Sequence, residues 1–210
     1  MKNVLKLIAI GLVGTFIFAS CNKGSDFDYE KLQEEQRIKD SIENARVQKH
    51  IKDQAPALKA YATANFTNPI LDTASGIWYD VITEGDQSSY TYRFSQQGIV
   101  APEVTVKYKG QLLNGTVFDQ TEADKSTTMS LGRAIFAWQR MFVPKSISVN
   151  NQDYPTNMGV TPKGLKKNSK VKFVTPSPWA YDETEIKKEG KPTIPANSPL
   201  VFEIEVVDIR

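Results

Sequence analysis

The chain contains 210 residues, of which 40% are hydrophobic and 24% are charged, a composition typical of globular proteins and unlike that of fibrous or wholly disordered chains. Its formal charge is +2, and Lys2 and Lys6 belong to a predicted leader, so the mature chain is close to neutral and nucleic acid is not an expected partner. The single cysteine, Cys21, and the single histidine, His50, exclude an intrachain disulfide, a cysteine-based zinc site and a histidine cluster. No metal or cofactor is expected.

Residues 1–20 have the form of a lipoprotein signal peptide. Two lysines precede an uncharged, mostly apolar run over residues 7–20, which is shorter than the roughly 20 residues needed to cross a bilayer. The run ends in Phe18-Ala19-Ser20-Cys21, which resembles a bacterial lipobox, so Cys21 is predicted to carry the lipid. We expect a protein anchored to a membrane of the bacterial cell envelope, facing the periplasm or the cell surface. The alternative is a plain signal peptide followed by an incidental cysteine.

Residues 21–75 are predicted to form a helical stalk and a linker. Residues 27–55 contain no glycine or proline, are rich in Glu, Lys, Gln and Arg, and stop at Pro56, which predicts a helix. Their apolar residues keep no strict 3.5-residue period, which favours a solvated spacer over a coiled-coil dimer through the stalk, the open alternative. His50 lies among polar residues of this helix and is not expected to be catalytic. Residues 61–75, rich in Thr, Asn, Pro and Asp, are predicted to be the linker.

Residues 76–210 are predicted to form the folded domain. Ile135, Trp138 and Phe142, spaced by three and four residues, predict one short helix. The predicted fold is an α+β domain in which an antiparallel sheet wraps around that helix. The sheet signals are β-branched and alternating strands at Ile77–Thr83, 104–109, 171–175 and Leu200–Ile209, with a hairpin turn at Asn114-Gly115.

Several blocks of this domain resemble, in the same order, blocks of the FKBP-type peptidyl-prolyl isomerases. They are residues 104–110 with 113–119, residues 131–138, residues 164–173 with Ala180-Tyr181, and residues 194–204. The resemblance implies the FKBP-like fold, isomerisation of proline-containing polypeptides and assistance to the folding of extracytoplasmic proteins, without a cofactor.

The resemblance also implies roles for individual residues. Trp138 would form the floor of a proline-binding pocket. Asp119, Tyr181 and the backbone N–H of Ile135 would be the polar groups beside the rotating amide. The pocket walls would be Tyr108, Phe118, Ala134, Ile135, Ile194 and Phe202.

The chain departs from the family pattern at several places. Thr127 and Thr128 stand where the family usually has another pocket aromatic, and Asp182 replaces the usual glycine after Ala-Tyr. Two insertions, residues 87–101 and 139–163, could cover the pocket or supply a partner surface. These departures motivate an alternative function, a catalytically weak or inactive FKBP-like lipoprotein that acts as a binding module, chaperone or scaffold.

A third hypothesis concerns the aromatic residues near the start of the domain. Tyr90, Tyr92 and Phe94 are predicted to alternate along one strand. Together, Tyr90, Tyr92 and Trp78 could capture a glycan or a peptide, provided that their rings form one exposed patch.

Overall fold

The computed structural model describes residues 29–210, so the predicted leader and the lipidation site Cys21 lie outside the described residues. The chain divides into two compact units, residues 1–40 and residues 41–210. Helix α1 covers Tyr29–Asn65, of which residues 29–40 are the described part of the first unit and residues 41–65 belong to the second. Within residues 29–210, no helix combines the length and the apolar character that a membrane span requires.

Helix α1 passes through Pro56, so the prediction that it ends there is wrong. A proline inside a helix removes one hydrogen bond and costs about 3 kcal/mol. Beyond Pro56, however, the helix buries Leu58 and Ala62 against Val174 and Val201 of the sheet. This packing offsets the penalty, because fully burying one Leu side chain stabilises by about 1.5–3 kcal/mol.

The linker predicted over residues 61–75 is also wrong, because these residues are folded. They contain the last turn of α1 and a short strand, β1 (Ile70–Asp72). The buried carboxylate of Asp80 accepts hydrogen bonds from the backbone N–H groups of Thr67 (2.9 Å) and Asn68 (3.2 Å), which fixes the turn between helix and strand. Polarity alone therefore gave a misleading prediction for this segment.

The domain is built on one antiparallel sheet and one short helix. The remaining bounds are β2 Ile77–Thr83, β3 Phe94–Ser95, β4 Gly98–Ile99, β5 Glu103–Leu112, β6 Val117–Gln120, β7 Thr127–Ser130, α2 Phe136–Phe142, β8 Ser146–Val149, β9 Gln152–Pro155, β10 Lys170–Thr175 and β11 Leu200–Ile209, with 3-10 turns at Leu131–Arg133 and Ser177–Trp179. The sheet has seven strands in the order β1-β2-β10-β11-β5-β6, with β7 paired to β5. Helix α2 follows β7 after the first 3-10 turn. These features confirm the predicted α+β fold with an antiparallel sheet and one short helix.

The main core lies between the sheet and α2. Alternate residues of the central strands point to one face, and this face buries Val106 of β5, Phe173 of β10 and Phe202 of β11. Helix α2 covers that face with Trp138 and Phe142, both almost fully buried. The short helix is therefore held in place by aromatic packing.

The aromatic residues of the first insertion do not form the predicted strand. Tyr90 and Tyr92 lie in irregular backbone, and the adjacent β3 and β4 make a small separate hairpin. Tyr92 is only 4% exposed, and its hydroxyl donates to the carbonyl of Leu165 (2.7 Å). Trp78 packs against a different hydrophobic cluster from Tyr90 and Tyr92. The exposed aromatic patch required for glycan or peptide capture is absent from these residues, so that hypothesis is wrong.

Candidate active site

A cavity of about 260 Å³ opens between α2, β5, β6 and β11. Of the nine pocket residues that the family resemblance assigned, eight line this cavity, and Ile194 does not. The lining residues are Tyr108, Phe118, Asp119, Met129, Arg133, Ala134, Ile135, Trp138, Tyr181 and Phe202. Residues from strands far apart in the sequence thus meet in one place.

The aromatic walls hold one another by edge-to-face packing. The ring of Trp138 lies 5.2 Å from that of Tyr108 and 5.8 Å from that of Phe202, with interplanar angles of 76° and 87°. Phe118 meets Phe202 at 5.9 Å and 81°. Such contacts add about 0.5–1.5 kcal/mol each beyond area burial. The aromatic walls therefore restrict one another's movement.

Gly110 makes room for these walls, although it was not among the predicted site residues. A Cβ atom at this position of β5 would lie 2.6 Å from Cζ of Phe118 and 3.0 Å from Cε1 of Phe202. The signal available in the sequence was a glycine inside an otherwise alternating strand, which often marks a close approach of another group.

Asp119 is the acidic side chain of the cavity. Its carboxylate accepts a hydrogen bond from the Tyr108 hydroxyl (2.9 Å), pairs with Lys191, and lies 3.8 Å from Nζ of Lys188. Burial alone would raise the pKa of the Asp119 carboxyl, but the hydrogen bonds from Lys191 and Tyr108 outweigh it, and the pKa lies below its ordinary value. Asp119 is therefore ionised at neutral pH.

Two hydrogen-bond donors at the cavity are unused. The backbone N–H of Ile135, which precedes α2, and the hydroxyl of Tyr181 have no acceptor among residues 29–210. Burial, followed by the charge of Asp119, raises the pKa of the Tyr181 hydroxyl, so it stays protonated and can donate. The indole Nε1 of Trp138 is buried and also lacks a partner in the described chain. The N–H of Ile135 and the hydroxyl of Tyr181 are therefore the two donors available to a ligand carbonyl, since Nε1 of Trp138 is buried.

Met129 and Arg133 line the cavity although neither was among the predicted site residues. Met129 pairs with Val104 on β5, and its half-buried side chain lies beside the threonine pair that replaces the usual family aromatic. The signal in the sequence was that Met129 is the one apolar residue in the segment Thr127–Ser130. An apolar side chain is thus present near the expected aromatic position.

Ile194 lies next to the cavity, in a smaller cleft that it shares with Phe118 and Tyr181. Its backbone pairs with that of Ile186 through two hydrogen bonds of 2.9 and 3.0 Å. It therefore supports the wall residues from behind rather than lining the main cavity.

Neither insertion fills the cavity. Its lining contains no residue from 87–101 or 139–163. The second insertion forms the β8–β9 hairpin and covers the core elsewhere. Over the described part of the chain, no group of three or more His, Cys, Asp or Glu side chains is placed to hold a metal ion. The arrangement offers a rigid apolar cavity with one carboxylate and a few free donors.

Comparison with known proteins gives a consistent result. A protein named FKBP-type peptidyl-prolyl cis-trans isomerase FkpA from Buchnera aphidicola (subsp. Schizaphis graminum) is 31% identical over 141 residues, which cover 66% of this chain and 42% of that relative. FkpA of Escherichia coli K12 is 27% identical over 197 residues, or 92% of this chain and 60% of the relative. This chain therefore spans about half the length of these curated relatives.

The crystal structure of FkpA from Escherichia coli matches with a TM-score of 0.50 and 25% identity, covering 90% of this chain and 74% of that one. The family model for FKBP-type peptidyl-prolyl cis-trans isomerases matches residues 100–207, a range that includes every residue lining the cavity. The chain belongs to the FKBP-type peptidyl-prolyl cis-trans isomerase family.

Proposed function

We propose that this protein catalyses cis-trans isomerisation of the peptide bond before proline in polypeptides that bind at the cavity. The observation that carries the proposal is the convergence of Tyr108, Phe118, Trp138 and Phe202 on one cavity beside the unused donors of Ile135 and Tyr181. Membership of an isomerase family supports the same activity.

The chemistry needs neither a nucleophile nor a metal. Rotation about an Xaa-Pro bond faces a barrier of roughly 18–20 kcal/mol, because the twisted amide loses its resonance. An apolar cavity that binds the proline ring removes water from the amide, and the more polar planar form loses more solvation than the twisted form. Fixed donors at Ile135 and Tyr181 would hold the neighbouring carbonyl groups in the twisted geometry without reorganisation.

The first test of this proposal is a matched pair of tryptophan substitutions. Trp138→Leu should lower kcat/KM for a short Xaa-Pro peptide by about tenfold or more, because the cavity loses its floor. Trp78→Leu is the control, because Trp78 packs on the cluster around Leu58, away from the cavity. Equal losses in both variants, or peptide rates at the uncatalysed level in the unmodified protein, would reject the proposal.

A second pair of substitutions tests the carboxylate. Asp119→Asn keeps the shape of the side chain and removes its charge, and we expect lower kcat/KM with little change in melting temperature. Asp208→Asn is the control, because Asp208 pairs only with Lys167 at 3.3 Å among the described residues and does not line the cavity. Unchanged activity in Asp119→Asn would exclude a role for this charge.

We further propose that the protein works in the bacterial cell envelope, anchored through a lipid on Cys21, as a folding helper for extracytoplasmic proteins. The support is the leader with Phe18-Ala19-Ser20-Cys21. Each buried lipid methylene contributes about 0.8 kcal/mol, so two or more chains give stable anchoring. Cys21→Ala should abolish incorporation of a labelled fatty acid and release the protein from the membrane fraction. Membrane retention of this variant would exclude the anchor.

The second candidate function is a binding or chaperone module of low catalytic activity. It is favoured by Lys191 and Lys188, which engage the carboxylate of Asp119 at the cavity. Under this alternative a proline-containing peptide binds, Trp138→Leu weakens its binding, and the isomerisation rate stays at the uncatalysed level.

A further inference from the structure

One face of helix α1 contacts the segment that carries Tyr181. Arg46, His50 and Gln54 follow one another at intervals of four residues, which places them on the same side of the helix. All three belong to the compact unit that begins at Ser41. They reach residues 177–183, which follow β10 and include the 3-10 turn Ser177–Trp179.

Arg46 forms a two-point contact with Asp182, the residue directly after Tyr181. Its Nη1 donates to Oδ1 at 3.1 Å and its Nη2 to Oδ2 at 2.5 Å. Both side chains are about three-quarters covered, with 25% and 29% of their surface exposed. Bidentate Arg–carboxylate bonds are geometrically specific and stronger than neutral hydrogen bonds. The contact therefore fixes the position of Asp182.

The backbone of Asp182 needs such support. Its φ angle is +50°, in the left-handed region that the glycine usual at this position adopts at no steric cost. The N–H of Asp182 donates to the carbonyl of Ser177 (2.9 Å), and its carbonyl accepts from the N–H of Asn197 (2.6 Å). The aspartate thus occupies a backbone conformation that glycine adopts readily, and it adds a side chain that reaches helix α1.

Gln54 holds the other end of the same turn. Its Nε2 donates to the Ser177 hydroxyl (2.8 Å) and to the carbonyl of Asn197 (3.1 Å), while its Oε1 accepts from the N–H of Ser177 (2.8 Å). Residues 177 and 182, which bracket the turn that carries Tyr181, are therefore both tied to α1. His50 adds a contact to Glu183 at 3.8 Å.

We infer that Arg46 and Gln54 are positioning residues for the isomerase site, acting on Tyr181 through the turn of residues 177–182. The inference rests on the proposed function. The hydroxyl of Tyr181 has no hydrogen-bond partner among the described residues, so nothing but the turn and its packing fixes the donor at the cavity. Helix α1, predicted to be only a spacer, thereby becomes part of the catalytic unit over its second half.

The test is a double-mutant cycle in the full chain, purified in detergent, with a short Xaa-Pro peptide as substrate. Arg46→Ala should lower kcat/KM by about three- to tenfold, because small displacements of a positioned donor are costly. In the background of Tyr181→Phe, which lacks the hydroxyl, the same substitution should change kcat/KM by less than about 1.5-fold, because interacting residues are not additive. Lys49→Ala is the matched control, because Lys49 pairs with Asp53 on the same helix and contacts no part of the turn.

Equal losses in the presence and absence of the Tyr181 hydroxyl would overturn the inference, because Arg46 would then act only on general stability. No loss in either background would overturn it as well. If Arg46→Ala folds poorly, Asp182→Asn serves instead, because asparagine tolerates positive φ and loses only the charge.

A second measurement separates this inference from the proposed function. In Arg46→Ala, the amides of Asp182 and Asn197 should exchange with solvent faster and the ring resonances of Tyr181 should shift, while Lys49→Ala leaves both unchanged. If the unmodified protein shows no isomerase activity, the proposed function fails. The effect of Arg46 on the position of Tyr181 is then tested by these exchange rates and resonances alone.

Discussion

The close contact between Gly110 and the aromatic walls gives a quantitative prediction for Gly110→Ala. The added methyl would lie 2.6 Å from Cζ of Phe118, whereas carbon atoms pack favourably at about 3.5–4.0 Å. The Phe118 ring therefore has to move by about 1 Å. Its neighbour Phe202 has little freedom to follow, because it stacks on Phe173 at 5.3 Å and meets Trp138 at 5.8 Å.

Overpacking of this kind lowers the free energy of unfolding by about 1–3 kcal/mol. Alanine restricts the unfolded chain more than glycine does, which offsets about 0.4–1 kcal/mol of that loss. For a protein of this size, 1 kcal/mol changes the melting temperature by about 2–4 °C. We expect Gly110→Ala to melt several degrees lower than the unmodified protein and to lose about tenfold or more in kcat/KM, since the cavity wall is displaced.

Thermal unfolding followed by circular dichroism and an Xaa-Pro peptide assay at 10 °C or so below the lower melting point would measure both effects. Gly132→Ala is the control for stability, because its new methyl would meet Cβ of Ala101 at 3.4 Å, an ordinary contact. The double variant Gly110→Ala/Phe118→Leu lacks the Phe118 ring that the new methyl would meet. It should therefore melt at a higher temperature than Gly110→Ala, while its kcat/KM stays low. A Gly110→Ala variant that melts within 1 °C or so of the unmodified protein, with unchanged kcat/KM, would refute the rigid-wall argument.

The structure makes three further predictions. Lys191→Gln should raise the pKa of the Asp119 carboxyl, because burial then acts with less opposition. As the pH falls, the carboxylate would be protonated at a higher pH than in the unmodified protein, which a pH–rate profile would detect. An unchanged acid limb of that profile would contradict the role given to Lys191. Leu58→Ala should lower the free energy of unfolding, measured by urea titration, by about 2–5 kcal/mol, because Leu58 is only 1% exposed. A loss below about 0.5 kcal/mol would show that helix α1 does not pack against the sheet. Tyr92→Phe should lower the free energy of unfolding by about 1–3 kcal/mol, because the carbonyl of Leu165 loses its buried hydrogen-bond donor. An unchanged free energy of unfolding would mean that this carbonyl finds another partner.

The sequence by itself determined most of the sheet. Strands β2 and β11 have the predicted bounds, because alternation and turn residues act between neighbours along the chain. The short helix also lies where the spacing of Trp138 and Phe142 placed it, one residue after Ile135. The family resemblance selected eight side chains that line one cavity, a convergence that local patterns alone do not contain.

Only the tertiary structure decided what the polar residues before and around this domain do. Arg46 and Asp182 are 136 residues apart in sequence, and nothing in the local composition of either segment signals their contact. Likewise, Pro56 predicted the end of a helix that burial of Leu58 against the sheet extends. Such outcomes depend on which surfaces meet after folding. The packing and hydrogen-bond energy of such contacts arises between segments that are distant in sequence, so no short window of the sequence predicts it.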